Sequence, residues 1–318
     1  MYYRIIPYEQ SFDSYGLVYK IPDSYTWYNT LIWCLGQFPF WKKVFHGIFA
    51  ELLDISYVQK LEYNIREMKW FTSETPILTS REIEMIDFIA EHYFCPIHLA
   101  LKLYLSLHLI KEISSLKYFS RKDQIYNYTT YTSSLGAMQN DIYQKISRLP
   151  TWSISLLYGV TWSGKTHIYM HIIHDIIQQW WQVLFLTPEI ILTSQVAKRL
   201  QDSFWGDVII IHSNISPTKK TQYFKDIASW NAKVIIWTRS TLFYAYKNLQ
   251  YIIMDEEHDR SYISDTHPCY HVKTVAQKMQ EIYGCSVLLG SWTPEIRSFY
   301  KWLQWQYHLF QLLESYKE

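Results

Sequence analysis

The sequence predicts an α/β chain: a parallel sheet with helices on both faces, preceded by a small β-rich unit. Three observations carry that reading. Beyond residue 150, short Ile/Val/Leu runs recur near 154–158, 183–187, 207–211, 233–236, 250–254 and 285–289. Amphipathic stretches lie between them, for example 191–203 and 274–282, which is how strands buried on both sides are spaced. Before about residue 75, segments such as Gly16-Leu17-Val18-Tyr19 and Val44-Phe45-His46-Gly47-Ile48-Phe49 alternate with turns at Pro22-Asp23-Ser24 and Phe38-Pro39-Phe40.

With 318 residues the chain has room for about two domains. The expected divisions are 1–100 (the β-rich unit), 101–134 (a linker) and 135–318 (the α/β lobe). Within the first, Thr79-Ser80-Arg81-Glu82 is a capping box, and Met85, Ile86 and Ile89 line the helix behind it. The linker is basic, then rich in Tyr, Thr and Ser. Residues 101–150 hold 7 Lys/Arg against 3 Asp/Glu, whereas residues 1–100 hold 8 against 12. With a formal net charge of +1, no overall basic footprint announces a nucleic-acid partner. Cys34, Cys95, Cys269 and Cys285 have no Cys-x-x-Cys spacing, which argues for reduced thiols in a cytoplasmic protein, with neither a disulfide frame nor a zinc site. The longest apolar run, 99–110, is too short to span a membrane and is broken by Lys102 and His108.

The chemistry centres on Gly159-Val160-Thr161-Trp162-Ser163-Gly164-Lys165-Thr166, a glycine, four residues, then Gly-Lys-Thr. A strand precedes it, and Ile168, Ile172, Ile173, Ile176 and Ile177 mark a helix after it. That context lets backbone N–H groups converge on phosphates at a helix N-terminus. Lys165 is expected to reach the β- and γ-phosphates and the Thr166 hydroxyl to hold Mg²⁺. Asp255-Glu256-Glu257-His258 follows a second apolar strand. Asp255 is assigned to Mg²⁺ and Glu256 to the base that orients and deprotonates water. Gln139 is a candidate reader of adenine through its two-sided amide. Loops after strands at 187–193, 237–240 and 290–294 bring hydroxyls and an Arg to one rim, where Thr238, Arg239 and Ser240 suit a phosphodiester backbone. Tyr262 and Tyr270 are candidates for base stacking, and His212 reads as a turn residue.

This ordered set resembles the primosomal protein N′ (PriA) family, replication-restart DNA helicases within the DEAH-type superfamily. The matching segments are 159–166, 187–195, 212–213, 238–243, 247–249, 255–259 with Ser261-Tyr262, Tyr270-His271, and 290–294. Ser11-Phe12-Asp13 and Phe38-Pro39-Phe40-Trp41-Lys42 stand where that family has its 3′-end pocket, which places Phe12, Asp13 and Trp41 in it. The resemblance implies a RecA-like P-loop lobe and a function in replication restart. ATP and Mg²⁺ are the implied ligands. The implied partners are forked or single-stranded DNA with 3′ ends, replicative-helicase loading proteins and primosome proteins; no membrane is implicated. His258, Ser291 and Thr293 receive coupling roles, and the polarity implied is 3′-to-5′. The family's zinc-binding cysteines and second lobe have no counterpart in these residues, and a winged helix has only 101–134 to occupy. Arginine fingers contribute on the order of 10³–10⁵ in rate, so this chain alone is expected to bind ATP weakly and neither hydrolyse it fast nor unwind DNA. A non-catalytic fork-binding protein or a decayed paralogue is the rival reading.

Tryptophan is unusual here. Trp numbers 14 and Gly only 9; together they make about 7 %, the share glycine alone usually holds. Trp27, Trp33, Trp41, Trp162, Trp237 and Trp305 fall where the family has glycine, and Trp292 where it has another small residue. Such a pattern is expected when UGA codons that specify glycine are translated as tryptophan.

Overall fold

The computed structural model describes residues 1–9, 16–22, 33–40, 43–61, 64–73, 76–113, 134–160, 162–188, 195–204, 206–211, 215–237 and 239–314. The chain divides into two units, one made of Met1–Phe119 with Asp265–Tyr270 and the other of Ser120–Ser264 with His271–Glu318.

In the first unit, strands β1 (Tyr2–Pro7), β2 (Leu17–Lys20), β3 (Leu35–Phe40) and β4 (Lys43–Leu53) are followed by a short helix α1 (Ile55–Val58) and strands β5 (Arg66–Glu67) and β6 (Trp70–Phe71). They form one sheet in the order β5-β2-β1-β4-β3-β6, antiparallel except for the β2–β5 pair. Alternation puts Tyr3, Ile5, Tyr19, Phe38, Phe45 and Phe49 in one aromatic core. Helix α2 (Ser80–His92) begins at the expected capping box, with the Thr79 amide donating to Glu82 and the Arg81 amide to Thr79. Arg4 on β1 is buried and donates two hydrogen bonds to Asp87 of this helix, at 2.9 and 2.7 Å. Within the expected 101–134 linker, the described residues are mostly helical. Helices α3 (Ile97–Tyr104) and α4 (Leu107–Ile113) occupy its first part, with Leu101, Leu105, Leu109 and Ile110 buried. Residues 114–133 lie outside the described residues.

The second unit opens with α5 (Ala137–Ser147) and then alternates. Its elements are β7 (Ile154–Gly159), α6 (Lys165–Gln178), β8 (Gln182–Leu186), α7 (Gln195–Ser203), β9 (Val208–Ile210), α8 (Pro217–Ala228) and β10 (Val234–Trp237). They continue with β11 (Leu249–Met254), α9 (Val272–Tyr283), β12 (Ser286–Ser291), α10 (Ile296–Leu303) and β13 (His308–Leu312). The seven strands are all parallel, in the order β13-β7-β12-β11-β8-β10-β9. Leu157, Phe185, Ile236, Ile253 and Leu288 point into one core with α5, α6 and α7. Their strand neighbours Leu156, Leu184, Ile235, Ile252 and Leu289 are buried as well, and α9 packs on β11 and β12. The α/β expectation therefore holds; β13 is an addition to it.

Helix ends carry an anomaly. Six of the eight described non-glycine residues with left-handed backbone are tryptophans: Trp33, Trp152, Trp162, Trp180, Trp230 and Trp305. Helices α6, α8 and α10 each close with a Schellman pair of hydrogen bonds. The donors are the amides of Trp180 and Trp181, of Trp230 and Asn231, and of Trp305 and Gln306. The left-handed residue of each pair is the tryptophan, at the place that favours glycine because a Cβ there crowds the following carbonyl. At Trp180, the Lys233 ammonium 4.0 Å from the ring centroid returns part of that cost. Trp305 is 94 % exposed and regains little from packing. Trp305→Gly should therefore stabilise the chain by about 1 kcal/mol, read as a higher denaturant midpoint at unchanged slope.

Candidate functional site

Strand order builds the site. Strand β12 lies between β7 and β11, so the carboxyl ends of all three emerge side by side at Gly159, Asp255 and Ser291. Ligands bind at this edge of parallel sheets.

The loop after β7 turns back on itself through Ser163 N–H donating to Val160 (3.1 Å), and the left-handed Gly164 (φ 85°) starts α6. Lys165, largely buried, donates from Nζ to the Gly159 carbonyl at 2.9 Å and lies 3.8 Å from Glu256 Oε1. Thr166 follows in the first turn of α6. A Cβ at residue 159 would stand 2.6 Å from Ser163 Oγ and 3.1 Å from Lys165 Cγ, which is why glycine is needed there. Thr161 lies outside the described residues. Trp162 is left-handed (φ 62°), and its side chain is 79 % exposed.

Gln139 on α5 is buried, with its amide turned to the loop. Its Nε2 donates to the Ser163 carbonyl at 3.0 Å, and its Oε1 accepts from Gly136 N–H at 3.0 Å. The geometry makes it a brace for the phosphate loop; adenine reading has only the remaining N–H and lone pair.

Asp255 is buried and accepts a hydrogen bond from Tyr169 Oη at 3.1 Å. Burial first, then the neighbouring Glu256, raise its carboxyl to about 6, with Lys165 and Tyr169 opposing. Glu256 has a left-handed backbone (φ 48°), a conformation a non-glycine residue adopts at some cost. Burial raises its pKa too, against Lys165. Gly290 lies beside this pair, where a Cβ would fall 1.7 Å from Tyr169 Oη. His258 Nδ1 is 2.7 Å from Ser291 Oγ, which accepts Thr293 N–H at 3.0 Å. This chain of contacts ties the acidic turn to the 290–294 segment.

Two groups are additions to the sequence reading. Tyr169 stands four residues after Lys165, on the same helix face. Glu257 is buried and accepts from Lys273, Ser298 Oγ (3.0 Å) and Glu295 N–H (2.7 Å), while Lys273 also bonds Glu295 and donates to Ser298 Oγ (2.8 Å). This ion cluster fixes the acidic turn to α9 and α10.

Other assignments fare differently. Tyr262 is 1 % exposed, and its hydroxyl donates to the Asp255 carbonyl at 2.6 Å, so it supports the acidic turn and has no ring face for a base. Tyr270 is 5 % exposed and falls in the other unit, which corrects the stacking role in the same way. Arg239 opens a 3-10 turn (Arg239–Phe243) that includes Ser240, and its guanidinium donates to the Ile263 carbonyl. Phe12, Asp13, Trp27, Trp41, His212 and Thr238 lie outside the described residues.

The donor set fits a magnesium-bound triphosphate. Ser163 Oγ, beside Gly159, is buried and has no hydrogen-bond partner among the described residues. Unmatched buried hydroxyls are uncommon unless a ligand or water completes them. The Thr166 hydroxyl and Asp255 carboxylate are hard oxygen donors of the kind Mg²⁺ takes. A cation at Asp255 competes with a proton. Its uptake should have its midpoint at about pH 6, level off as the pH rises above that, and fall below it at a rate approaching tenfold per pH unit. Tyr169→Phe removes a donor to the charged form, so the midpoint should move upward. Titrations of Mg²⁺-dependent nucleotide uptake between pH 5 and 8 read both.

Residues 137–299 match the DEAD/DEAH box helicase family, and residues 6–106 match the 3′ DNA-binding domain of PriA. The replication restart protein PriA of Rickettsia felis is 30 % identical over 310 residues, 95 % of this chain and 44 % of the relative. PriA of Helicobacter pylori (strain J99) is 34 % identical over 218 residues, 69 % of this chain and 33 % of the relative. PriA of Bacillus subtilis (strain 168) is 37 % identical over 159 residues, 50 % of this chain and 20 % of the relative. The chain thus spans less than half the length of each of these relatives.

Proposed function

Because this chain belongs to the PriA family of DEAD/DEAH box helicases, we propose that it is the nucleotide-binding lobe and 3′-end-binding domain of an ATP-dependent DNA helicase of replication restart. The observation that carries the reading is the meeting of Lys165, Asp255 and Glu256 at the carboxyl edge of the sheet, together with a buried Ser163 hydroxyl that has no partner among the described residues.

Lys165 would neutralise phosphate charge, and Thr166 and Asp255 would hold Mg²⁺. When bound, the metal screens charge on the phosphates and supports their transfer to water. Glu256 orients the attacking water and accepts its proton, for which a raised pKa is suitable. The His258–Ser291–Thr293 contacts carry changes at the acidic turn to the DNA-facing rim, where Thr238, Arg239 and Ser240 meet the backbone. By the family resemblance, Phe12, Asp13 and Trp41 are assigned to the pocket for a 3′ terminus. The partners in this reading are forked DNA and the proteins that reload the replicative helicase, with movement 3′-to-5′.

Fluorescence anisotropy with synthetic forks tests the reading. Forks with a free 3′ hydroxyl at the branch should bind roughly tenfold more tightly than forks blocked there by a 3′ phosphate, the value of a lost polar contact plus a misplaced charge. Equal binding to both would contradict a 3′-end pocket.

A further inference from the structure

We infer that residues 33, 152, 162, 180, 230 and 305 are glycine in the protein as its source cell makes it, each specified by a UGA codon that a glycine-charged tRNA reads. The inference rests on backbone geometry alone and does not depend on the proposed function.

Left-handed backbone selects residues by the presence of a Cβ, and glycine is the residue without one. Tryptophan makes up only 14 of 318 residues, yet it supplies six of the eight described non-glycine positions with that backbone. Function does not explain the set, because five of the six lie away from the phosphate loop. Packing does not explain it either. Trp152 is 61 % exposed and, like Trp162 and Trp305, leaves most of a large apolar surface in water.

The helix ends supply an internal comparison. Helix α9 closes on Gly284, left-handed at φ 65°. Helices α6, α8 and α10 close on Trp180, Trp230 and Trp305 at φ 64°, 68° and 60°. A left-handed residue thus ends all four helices, through a single bond from Gly284 to the Gln280 carbonyl in α9 and through paired bonds in the other three, with glycine at one and tryptophan at three. All six positions are assigned by the backbone, Trp33, Trp152 and Trp162 at φ 72°, 68° and 62° beside the three helix ends. Trp237 is extended, paired with Leu186, so this geometry does not extend to it. Phe94 and Glu256, the other two left-handed residues, show that the position tolerates a side chain at a cost; they do not account for a bias toward one residue type.

Decoding explains that bias. UGA shares its first two bases with the tryptophan codon UGG and differs from the glycine codon GGA at one base. A UGA read as tryptophan in translation therefore puts indoles where glycines were selected. Random decay has no reason to seek left-handed sites.

The test is the gene together with the protein isolated from its source. UGA is expected at all six codons, and tryptic peptides covering them should be lighter, at each position, by the difference between a methylindole side chain and a hydrogen atom. UGG at these positions, or UGA with peptides of tryptophan mass, would overturn the inference.

Discussion

Lys165→Ala, made in a chain carrying Trp162→Gly, should weaken magnesium-ATP binding on the order of 100-fold or more. Removing one member of a buried, hydrogen-bonded charge pair costs about 2–5 kcal/mol, and each 1.4 kcal/mol is about tenfold. Lys165 is such a member: it is largely buried, anchored on the Gly159 carbonyl and 3.8 Å from Glu256. Its loss removes the cation that offsets the two neighbouring carboxyl groups, Asp255 and Glu256. Lys165→Arg keeps the charge but replaces a compact ammonium with a planar fork, so it should recover only part of the affinity. Displacement of a fluorescent nucleotide reads all three chains; equal affinity in the alanine variant would remove Lys165 from the site.

The second large effect is on stability. Glu257→Ala should destabilise the second unit by about 3–5 kcal/mol, the usual result of removing one partner from a buried ion pair. Lys273 then keeps Glu295 and Ser298 but loses its buried anion, and Glu295 N–H loses an acceptor. At roughly 2–4 °C per kcal/mol for a domain of this size, thermal unfolding should fall by about 10 °C. The double variant Glu257→Ala with Lys273→Met should lose less than the sum of the two single losses, because the second change removes the stranded charge. Strict additivity would show that the two groups do not act together.

The lobe was legible because its strands are continuous apolar runs and its motifs are contiguous: 159–166 and 255–258 each carry their own context. Strand β13 was not. His308-Leu309-Phe310-Gln311-Leu312 is short, and only tertiary pairing with β7 makes it a strand. Residues 101–113 read as linker because Lys102 and Lys111 interrupt the leucines between them, which the fold buries. Tyr262 and Tyr270 illustrate a different limit, since sequence gives the ring but not its burial. Glu257 with Lys273 and Glu295 is a contact between residues 16 to 38 apart, and no local pattern marks it. The left-handed tryptophans were half legible. The deficit of glycine is visible in composition, but the helix ends at 180, 230 and 305 are identified by backbone angles.

Calorimetric titration of ATP into the Trp162→Gly chain, with and without Mg²⁺, tests the central claim most directly. The account predicts saturable uptake that requires the metal and is abolished by Asp255→Asn. Absence of uptake in the presence of Mg²⁺, or uptake that the Asp255 substitution leaves unchanged, would contradict it.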